Sequence, residues 1–271
     1  MVFLVLFSFF SLCTRPGQAL FTQPARVSFF GQVPMNYRPL LLVPALLTAL
    51  TASTLTQSAV DDLIAKNLTA KGGPEKLKSI QSMKQTSKMT TQGTEATITV
   101  YSKRPNLMRQ ELKIGAQTVT NGFDGEVSWI INPLSGMTKP IVVSGPQSDI
   151  IREQAAFDGP FIDYKTRGSK VLLNGVETLG DRKVQHLQVI ARTQQTQHIY
   201  LDAETNLETK IVSMLDGRKF EQELSDYRDV EGVKVPFTIR MLVDGVLQSQ
   251  ISVQSVEFNV KIDDAMFKVV K

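Results

Sequence analysis

Residues 103–107 read Lys-Arg-Pro-Asn-Leu, and residues 124–133 read Asp-Gly-Glu-Val-Ser-Trp-Ile-Ile-Asn-Pro. The second string opens on a turn dipeptide and continues as an apolar run of strand length. Pro105 lacks a backbone donor, so we expect it at a strand boundary or on an edge strand. Neither string holds a nucleophile beside a base, or a set of metal ligands. The strings therefore predict a β-sheet protein and give no sign of catalysis.

Further turn signals extend this reading to most of the chain. From Met83 onward, runs of period two are rich in Val, Ile, Thr and aromatic residues, and turn dipeptides separate them. Asn-Gly and Asp-Gly suit tight hairpins because such turns need positive φ at their central residues. So many hairpins in series predict an antiparallel meander that curls into a sheet or barrel. The predicted turns are Asp124-Gly125, Asn174-Gly175, Asp216-Gly217, Glu231-Gly232 and Asp244-Gly245.

Three helices are predicted around the meander. Apolar residues from Val60 to Leu68 recur at helical spacing, and a Gly-Gly-Pro segment at residues 72–74 ends that helix. A short second helical turn is predicted at residues 75–80. The third helix, at residues 148–157, interrupts the meander after about half of its strands. A curved sheet with helices before it and in its middle predicts a cup that the helices can cover.

The two strings resemble the periplasmic lipoprotein-carrier family LolA, in which K-R-P-N-L/F is followed by D-G-x-x-x-W-x-x-N-P. The string at residues 263–267 (Asp-Asp-Ala-Met-Phe) also looks like that family's D-A-x-x-F, although the proline that usually follows is replaced. The resemblance implies a mainly β, α+β fold: an incomplete antiparallel β-barrel whose open mouth is covered by helices. It also implies that Arg104 bonds the covering helices and keeps an empty cavity shut.

Candidate site residues follow from the strings and the resemblance. Arg104 is the lid-locking candidate, with a solvated arginine at a strand end as the alternative. Leu63, Ile64 and Leu68 form the apolar stripe of a lid helix, which we expect to move about residues 72–74, although such stripes are more often permanent core. The candidate cavity lining consists of Ile98, Val100, Val127, Trp129 and Ile131. For Trp129, a core position that stabilises the sheet is the alternative.

The first 58 residues form a predicted leader, since they contain three arginines but no Lys, Asp or Glu. Met35 is the expected true start, with a short positive region and an apolar stretch at residues 40–50 before small residues suited to signal-peptidase cleavage. An alternative has residues 3–12 as the apolar stretch and Cys13 as a lipidation site. Removing three charges from the formal net charge of +4 leaves the mature chain almost neutral, and no basic cluster indicates nucleic-acid binding.

Residues 59–271 are expected to form a single LolA-like half-barrel domain, long enough to bury a core without disulfides. Cys13, the only cysteine, lies in the leader, so thiol chemistry is not expected. His186 and His198 are too few for a metal site and are expected to be ordinary strand residues. No catalytic residue, metal or cofactor is predicted.

The expected function is that of a soluble periplasmic carrier, exported by a cleaved signal peptide. We expect a binding protein and not an enzyme. Its cargo would be lipoprotein acyl chains or another lipid, shuttled to the outer membrane. The resemblance implies an inner-membrane extractor and an outer-membrane acceptor as partners, and a monomer is expected. Two alternatives stay open: a lipid-sensing regulatory module with the same fold, and a hydrolase of unrecognised chemistry.

Overall fold

The computed structural model describes residues 49–91, 93–215 and 217–269, with side chains from Gln57 onward. The expected start at Met35 and the alternative lipidation site at Cys13 lie outside the described residues. Helix α1 spans Ala49–Ala70 and so includes the residues in which cleavage is expected. Export and the boundary at residue 59 stay predictions.

In the described residues, 13 strands form one antiparallel sheet, as the meander pattern predicts. The strands before the midpoint are β1 (Ser82–Thr91), β2 (Thr94–Lys103), β3 (Leu107–Ile114), β4 (Gln117–Phe123), β5 (Ser128–Asn132) and β6 (Met137–Val143). Those after it are β7 (Lys170–Leu179), β8 (Arg182–Ile190), β9 (Thr196–Asp202), β10 (Glu208–Leu215), β11 (Arg218–Val230), β12 (Val233–Val243) and β13 (Val246–Phe258).

The helices lie where their patterns place them. Helix α2 spans Pro74–Ser79, and helix α3 spans Pro146–Ala155 between β6 and β7. Two short 3-10 helices follow β5 and β13, at Pro133–Ser135 and Asp264–Phe267. Within the part of the chain that the structure describes, no helix is both long enough and apolar enough to cross a membrane.

The strand order shows where the sheet is open. It runs β6-β5-β4-β3-β2-β1-β13-β12-β11-β10-β9-β8-β7, so the first strand pairs with the last, and β6 and β7 are the two edges. Thirteen strands laid flat would span roughly 57 Å. One core cluster nevertheless joins residues from both halves of the sheet, so the sheet is curled. Bulges at Thr86/Ser87 and Leu173/Gly175 favour such bending.

The register defines an inner and an outer face. Across β2, β3 and β4, Ile98 lies opposite Leu112, and Leu112 lies opposite Val119. Directly opposed residues point to the same face, and all three belong to the main core cluster. Val60 and Ile64 of α1 belong to the same cluster. We call the face that carries these strand residues the inner face, and helix α1 packs against it.

Trp129 lies on the outer face, so its predicted place in the inner lining is wrong. Its register partner Gly122 is paired with Arg109, one residue out of step with the inner-face pair Gln110 and Asn121. A Cβ on Gly122 would lie 2.6 Å from the Trp129 ring. The indole Nε1 donates to the carbonyl oxygen of Phe267 at 2.8 Å, so the last 3-10 helix buries this ring from outside.

The prediction is also wrong for Val127 and Ile131, which the sequence analysis assigned to the cavity lining together with Trp129. Ile131 pairs with Thr120 on the outer face, and Val127 precedes β5 with 36% of its surface exposed. Alternation predicts that such residues share a face but not which face it is. The inner face at β5 is formed instead by Ser128 and Ile130, both buried.

Three of the five turn signals are confirmed, one is wrong and one includes a residue outside the described part of the chain. Asp124-Gly125, Glu231-Gly232 and Asp244-Gly245 connect consecutive strands, whereas Asp216 lies outside the described residues. Asn174-Gly175 lies inside β7, at the bulge where the register with β8 shifts. Gly175 has φ +120° there, because the bulge needs the same backbone freedom that a turn needs.

A buried ion pair fixes the carboxyl end of α1 to the sheet. The Lys71 ammonium lies 2.7 Å from Glu208 Oε1, with the two side chains 4% and 2% exposed. Burial by itself would raise the pKa of Glu208, but the charge and hydrogen bond of Lys71 outweigh it and hold this pKa below its ordinary value. Asn67 adds a hydrogen bond from Nδ2 to the carbonyl oxygen of Asn206 at 2.8 Å.

In the Gly-Gly-Pro segment after α1, Gly72 packs against backbone, and this close contact gives no support to a hinge at residues 72–74. Gly72 and Gly73 donate to the carbonyl oxygens of Thr69 and Leu68, which caps the helix. A Cβ on Gly72 would lie 2.3 Å from the carbonyl oxygen of Gly232. Leu63 and Leu68 pack against the main core cluster, and Ile64 belongs to it.

Replacing Lys71 with Met should lower the free energy of unfolding by about 3–5 kcal/mol, because the Glu208 carboxylate would stay buried without its partner. Urea denaturation measures the change. Lys66→Met is the matched control, since its pair with Asp62 leaves the side chains 55% and 60% exposed. That control should change stability by less than about 1 kcal/mol. Equal effects of the two substitutions would contradict the anchoring role of the Lys71 pair.

Gly72→Ala should destabilise the protein more than Gly73→Ala. Both glycines have positive φ, +124° and +91°, so the backbone penalty is shared. The Cβ at Gly72 meets backbone, whereas nothing lies within 4 Å of a Cβ at Gly73. Overpacking of this kind costs about 1–3 kcal/mol, which thermal or urea unfolding resolves. If the two variants have the same stability, the contact between Gly72 and Gly232 is loose, and the result would support a hinge at residues 72–74.

Candidate functional site

The candidate site is the gap between the sheet edges β6 and β7. Residues 144–169 connect these two strands, and we call them the inserted segment. They comprise helix α3 and a run of turns. Ser128 Oγ on β5 donates to the carbonyl oxygen of Ser148 at 3.2 Å, and the two hydroxyls lie 3.0 Å apart. These bonds place α3 against the inner face beside the β6 edge.

The inserted segment fills the inside of the curled sheet with its own apolar side chains. Phe157, Phe161, Ile162 and Tyr164 are each at most 7% exposed, and all four belong to the main core cluster. Ile151 of α3 belongs to it as well. The interior is therefore occupied by a segment that lies between two free sheet edges rather than within the sheet.

One guanidinium, that of Arg104, joins this segment to helix α2. Its Nε donates to the carbonyl oxygen of Ile80 at 2.7 Å, and its Nη2 donates to that of Leu77 at 3.2 Å. These carbonyls belong to the carboxyl end of α2, where helices leave them unpaired. Nη1 donates to Asp158 Oδ2 at 2.6 Å. The Arg104 carbon Cζ lies 4.8 Å from the ring centroid of Phe157.

Lys103, the neighbour of Arg104, binds a different part of the chain. Its ammonium donates to the carbonyl oxygen of Ile262 at 3.2 Å and to Asp264 Oδ1 at 2.6 Å. The two neighbouring side chains therefore bind different segments. Lys103 binds the carboxyl-terminal segment, and Arg104 binds the inserted segment. Trp129 and Phe267 are hydrogen-bonded, so the three strings that carry the family resemblance are linked in space.

The middle of helix α1 also holds the inserted segment. The hydroxyl of Tyr164 donates to Asp61 Oδ1 at 2.7 Å, and Lys165 Nζ donates to Asp61 Oδ2 at 2.6 Å. Gln57 Nε2 donates to the same hydroxyl at 2.9 Å. The hydrogen bonds from Lys165 and Tyr164 lower the pKa of Asp61. These polar contacts lie at the surface, above the buried side chains of the segment.

The structure brings only some of the predicted site residues together. Ile98 and Val100 lie on the inner face, 0% and 1% exposed, in the same cluster as Ile64. Arg104 lies at the rim beside the inserted segment. Val127, Trp129 and Ile131 do not lie on the inner face, as described above.

Sequence reasoning missed Asp158, which binds Arg104 across 54 positions of the chain. It also missed the buried aromatic residues of the inserted segment. Phe157 was assigned to the helix predicted at residues 148–157, which ends at Ala155, and the residues after it had no recognisable period. Phe157, Phe161 and Tyr164 lie among turns. Aromatic residues in a run without secondary structure were the available signal, since solvated loops seldom contain so many.

His186 and His198 lie on the outer face of β8 and β9. His186 Nε2 is 2.8 Å from His198 Nδ1, and His186 Nδ1 is 2.5 Å from Glu177 Oε1. Burial and the neighbouring His186 lower the pKa of His198. Among the described residues, no group of three or more His, Cys, Asp or Glu side chains is placed to hold a metal ion.

Comparisons with known proteins agree with this architecture. No protein-family model and no curated protein sequence matches the chain. Among solved structures, a LolA superfamily protein from Nitrosomonas europaea has a TM-score of 0.53 at 14% identity, covering 79% of this chain and 97% of that chain. A DUF1329 family protein from Desulfovibrio piger has a TM-score of 0.54 at 13% identity, covering 79% and 97%.

A third structure, described as an outer membrane lipoprotein-sorting protein domain from Vibrio parahaemolyticus, has a TM-score of 0.53 at 11% identity, covering 76% of this chain and 95% of that chain. Nearly the whole of each of these proteins is therefore matched, at low identity. The chain has a LolA-like fold, an incomplete antiparallel barrel covered by helices, and the resemblance of its sequence to that family is confirmed at the level of the fold.

Proposed function

We propose that this protein is an exported carrier of acyl chains. It takes up lipoprotein acyl chains, or another lipid, on its inner face and carries them through the periplasm towards the outer membrane. The observation that supports this most is the way in which the inserted segment fills the inside of the open sheet. An apolar interior is filled by a segment that no sheet pairing holds, and the arginine fork of Arg104 binds that segment to helix α2.

The proposed binding space is the one now occupied by the inserted segment. Ile98 and Val100 on the sheet, with Ile64 on α1, form its fixed wall. Cargo enters when Phe157 and Phe161 leave the interior and their contacts are replaced by acyl chain. The moving part of this proposal is the inserted segment, because α1 is anchored by Lys71 and Glu208.

Exchanging the inserted segment for cargo gives a smaller net binding free energy than filling an empty cavity would give. Burying one sixteen-carbon chain contributes roughly 13 kcal/mol at ~0.8 kcal/mol per CH₂ group. Displacing the buried aromatic side chains of the segment and the bonds of Arg104 offsets most of that gain. A carrier needs this balance, because cargo that is bound without an offsetting cost cannot be released to an acceptor.

The proposed partners are an inner-membrane extractor that supplies the cargo and an outer-membrane acceptor that removes it, with the carrier acting as a monomer. Support comes from the family resemblance and from the likeness in fold to the Vibrio parahaemolyticus domain, which is described as an outer membrane lipoprotein-sorting protein. No catalytic step is part of the proposal.

Native mass spectrometry of protein purified from its own periplasm tests the proposal. We expect co-purified acyl-chain ligand in a fraction of the molecules. We also expect the delipidated protein to take labelled acyl chains from donor vesicles and to release them to acceptor vesicles. Protein that co-purifies without lipid and extracts no label from vesicles would contradict the carrier function.

Arg104→Leu should bind a hydrophobic dye or acyl ligand more tightly and release it more slowly. Charged hydrogen bonds contribute about 1.5–3 kcal/mol each, and the Arg104–Asp158 pair is about one-fifth exposed, so the lower end applies. Losing even one bond corresponds to about a tenfold gain in affinity. Dye titration and stopped-flow release measure both effects.

Arg109→Leu is the matched control. Arg109 also bonds a carboxylate and a backbone carbonyl, those of Glu111 and Met266, but it lies on the outer face away from the inserted segment. Its replacement should leave ligand affinity unchanged. Asp158→Asn should shift affinity in the same direction as Arg104→Leu, by less, because the α2 bonds remain. A folded Arg104→Leu variant that binds and releases as the wild type does would overturn the proposed lock.

A further inference from the structure

A cleft beside the inserted segment has a polar character unlike the interior. It has a volume of about 260 Å³ and lies between the end of α3, the turns that follow it and the β8–β9 hairpin. Its lining includes Arg152, Arg167, Arg192, Glu153 and Val189. We call it the arginine cleft. None of the roles assigned so far uses these arginines.

The three arginines of the cleft keep most of their charge uncompensated. Arg152 pairs only loosely with Asp149, at 3.3 Å and nearly half exposed. The Nη2 group of Arg167 donates to the carbonyl oxygen of Gly159, whereas its buried Nε has no acceptor among the described residues. In the described part of the chain, the guanidinium of Arg192 has no hydrogen-bond or ion-pair partner.

Among the described residues that line the cleft, Glu153 is the one carboxylate, and it does not neutralise the three arginines. Its only hydrogen bond among the described side chains is a long one, 3.4 Å, from Thr193 Oγ1, and it forms no ion pair in that part of the chain. Burial raises the pKa of Glu153, although Arg167 and Arg152 oppose this and Asp149 adds to it. Three guanidinium groups thus face one poorly compensated carboxylate. Guanidinium groups bind carboxylate and phosphate oxygens through paired donors.

The cleft adjoins the interior that the proposed function assigns to acyl chains. Val189 forms part of its wall and also belongs to the main core cluster. Ala156 and Pro160 line the cleft, and Phe157 beside them is buried in the core. A head group in the cleft would therefore be next to the space that opens when the inserted segment moves.

We propose that the arginine cleft binds the anionic head group, a phosphate or a carboxylate, of the lipid whose chain enters the interior. This inference rests on the proposed carrier function and narrows its cargo to anionic amphiphiles. Arg192 is free to meet the head group, and Arg167 adds a second positive charge to the lining of the same cleft. Glu153 opposes the anion and limits how tightly it is held.

Three ligands with the same chain separate head group from tail: dodecanoate, dodecyl phosphate and dodecanol. Displacement of a hydrophobic dye from the full-length protein as purified gives each affinity. We expect at least one anion to bind about tenfold or more tightly than dodecanol. Inorganic phosphate alone should bind more weakly than dodecyl phosphate, because it lacks the chain. The inference would be overturned if dodecanol bound as tightly as dodecanoate and dodecyl phosphate. It would also be overturned if inorganic phosphate bound as tightly as dodecyl phosphate.

Arg192→Gln should remove most of that preference, with dodecanol affinity unchanged. Glu153→Gln should change anion binding in the opposite sense, which a merely structural role would not do. Arg218→Gln is the control for charge, since Arg218 pairs with Asp244 at an exposed hairpin. Equal losses for Arg192→Gln and Arg218→Gln would contradict a local site. If none of the three chain ligands binds wild type, the carrier function itself fails.

Discussion

The pairing of β1 with β13 is the constraint on which the rest of this structure depends. A meander whose first and last strands are neighbours must have its free edges in mid-sequence, at β6 and β7. The chain that connects those two strands then lies across the opening. It can cover the inner face there without joining the sheet, and the inserted segment does so with Phe157, Phe161 and Tyr164.

Covering an opening by side-chain packing alone leaves the covering segment without backbone pairing to the sheet. The polar groups around it therefore matter more than they would in a closed barrel. Arg104 satisfies two helix-end carbonyls and one carboxylate with a single planar group. Lysine offers a point charge on a flexible stem and does not have this fixed fork. The arginine thus joins α2 and the inserted segment in one geometry.

Fixed and replaceable contacts are separated along the chain. The carboxyl end of α1 is held by the buried Lys71–Glu208 pair, which is costly to break because an unpaired charge would stay buried. The inserted segment is held by the exposed pair of Asp61 with Lys165 and by the pair of Arg104 with Asp158, which is about one-fifth exposed. Water can replace the exposed pair at small cost. The architecture is therefore stable at α1 and weaker at the mouth.

Sequence alone determined the elements and their order, because hydrophobic period and turn chemistry are local. The stripe from Val60 to Leu68, the three helices and most hairpin turns are correct for that reason. Asn174-Gly175 failed because a bulge and a turn need the same backbone freedom. The strings at residues 103–107 and 124–133 carried the family resemblance and hence the fold.

Only the tertiary structure decided which face each strand turns inwards and which distant groups meet. Alternation placed Trp129 and Ile131 on one face, but the outer cover that buries Trp129 comes from Phe267, at the far end of the chain. Asp158 meets Arg104 only because the sheet curls. Anchoring of α1 depends likewise on Glu208, far from Lys71 in sequence. Long-range partners of this kind follow from the pairing of β1 with β13 and the curling of the sheet, which no local pattern encodes.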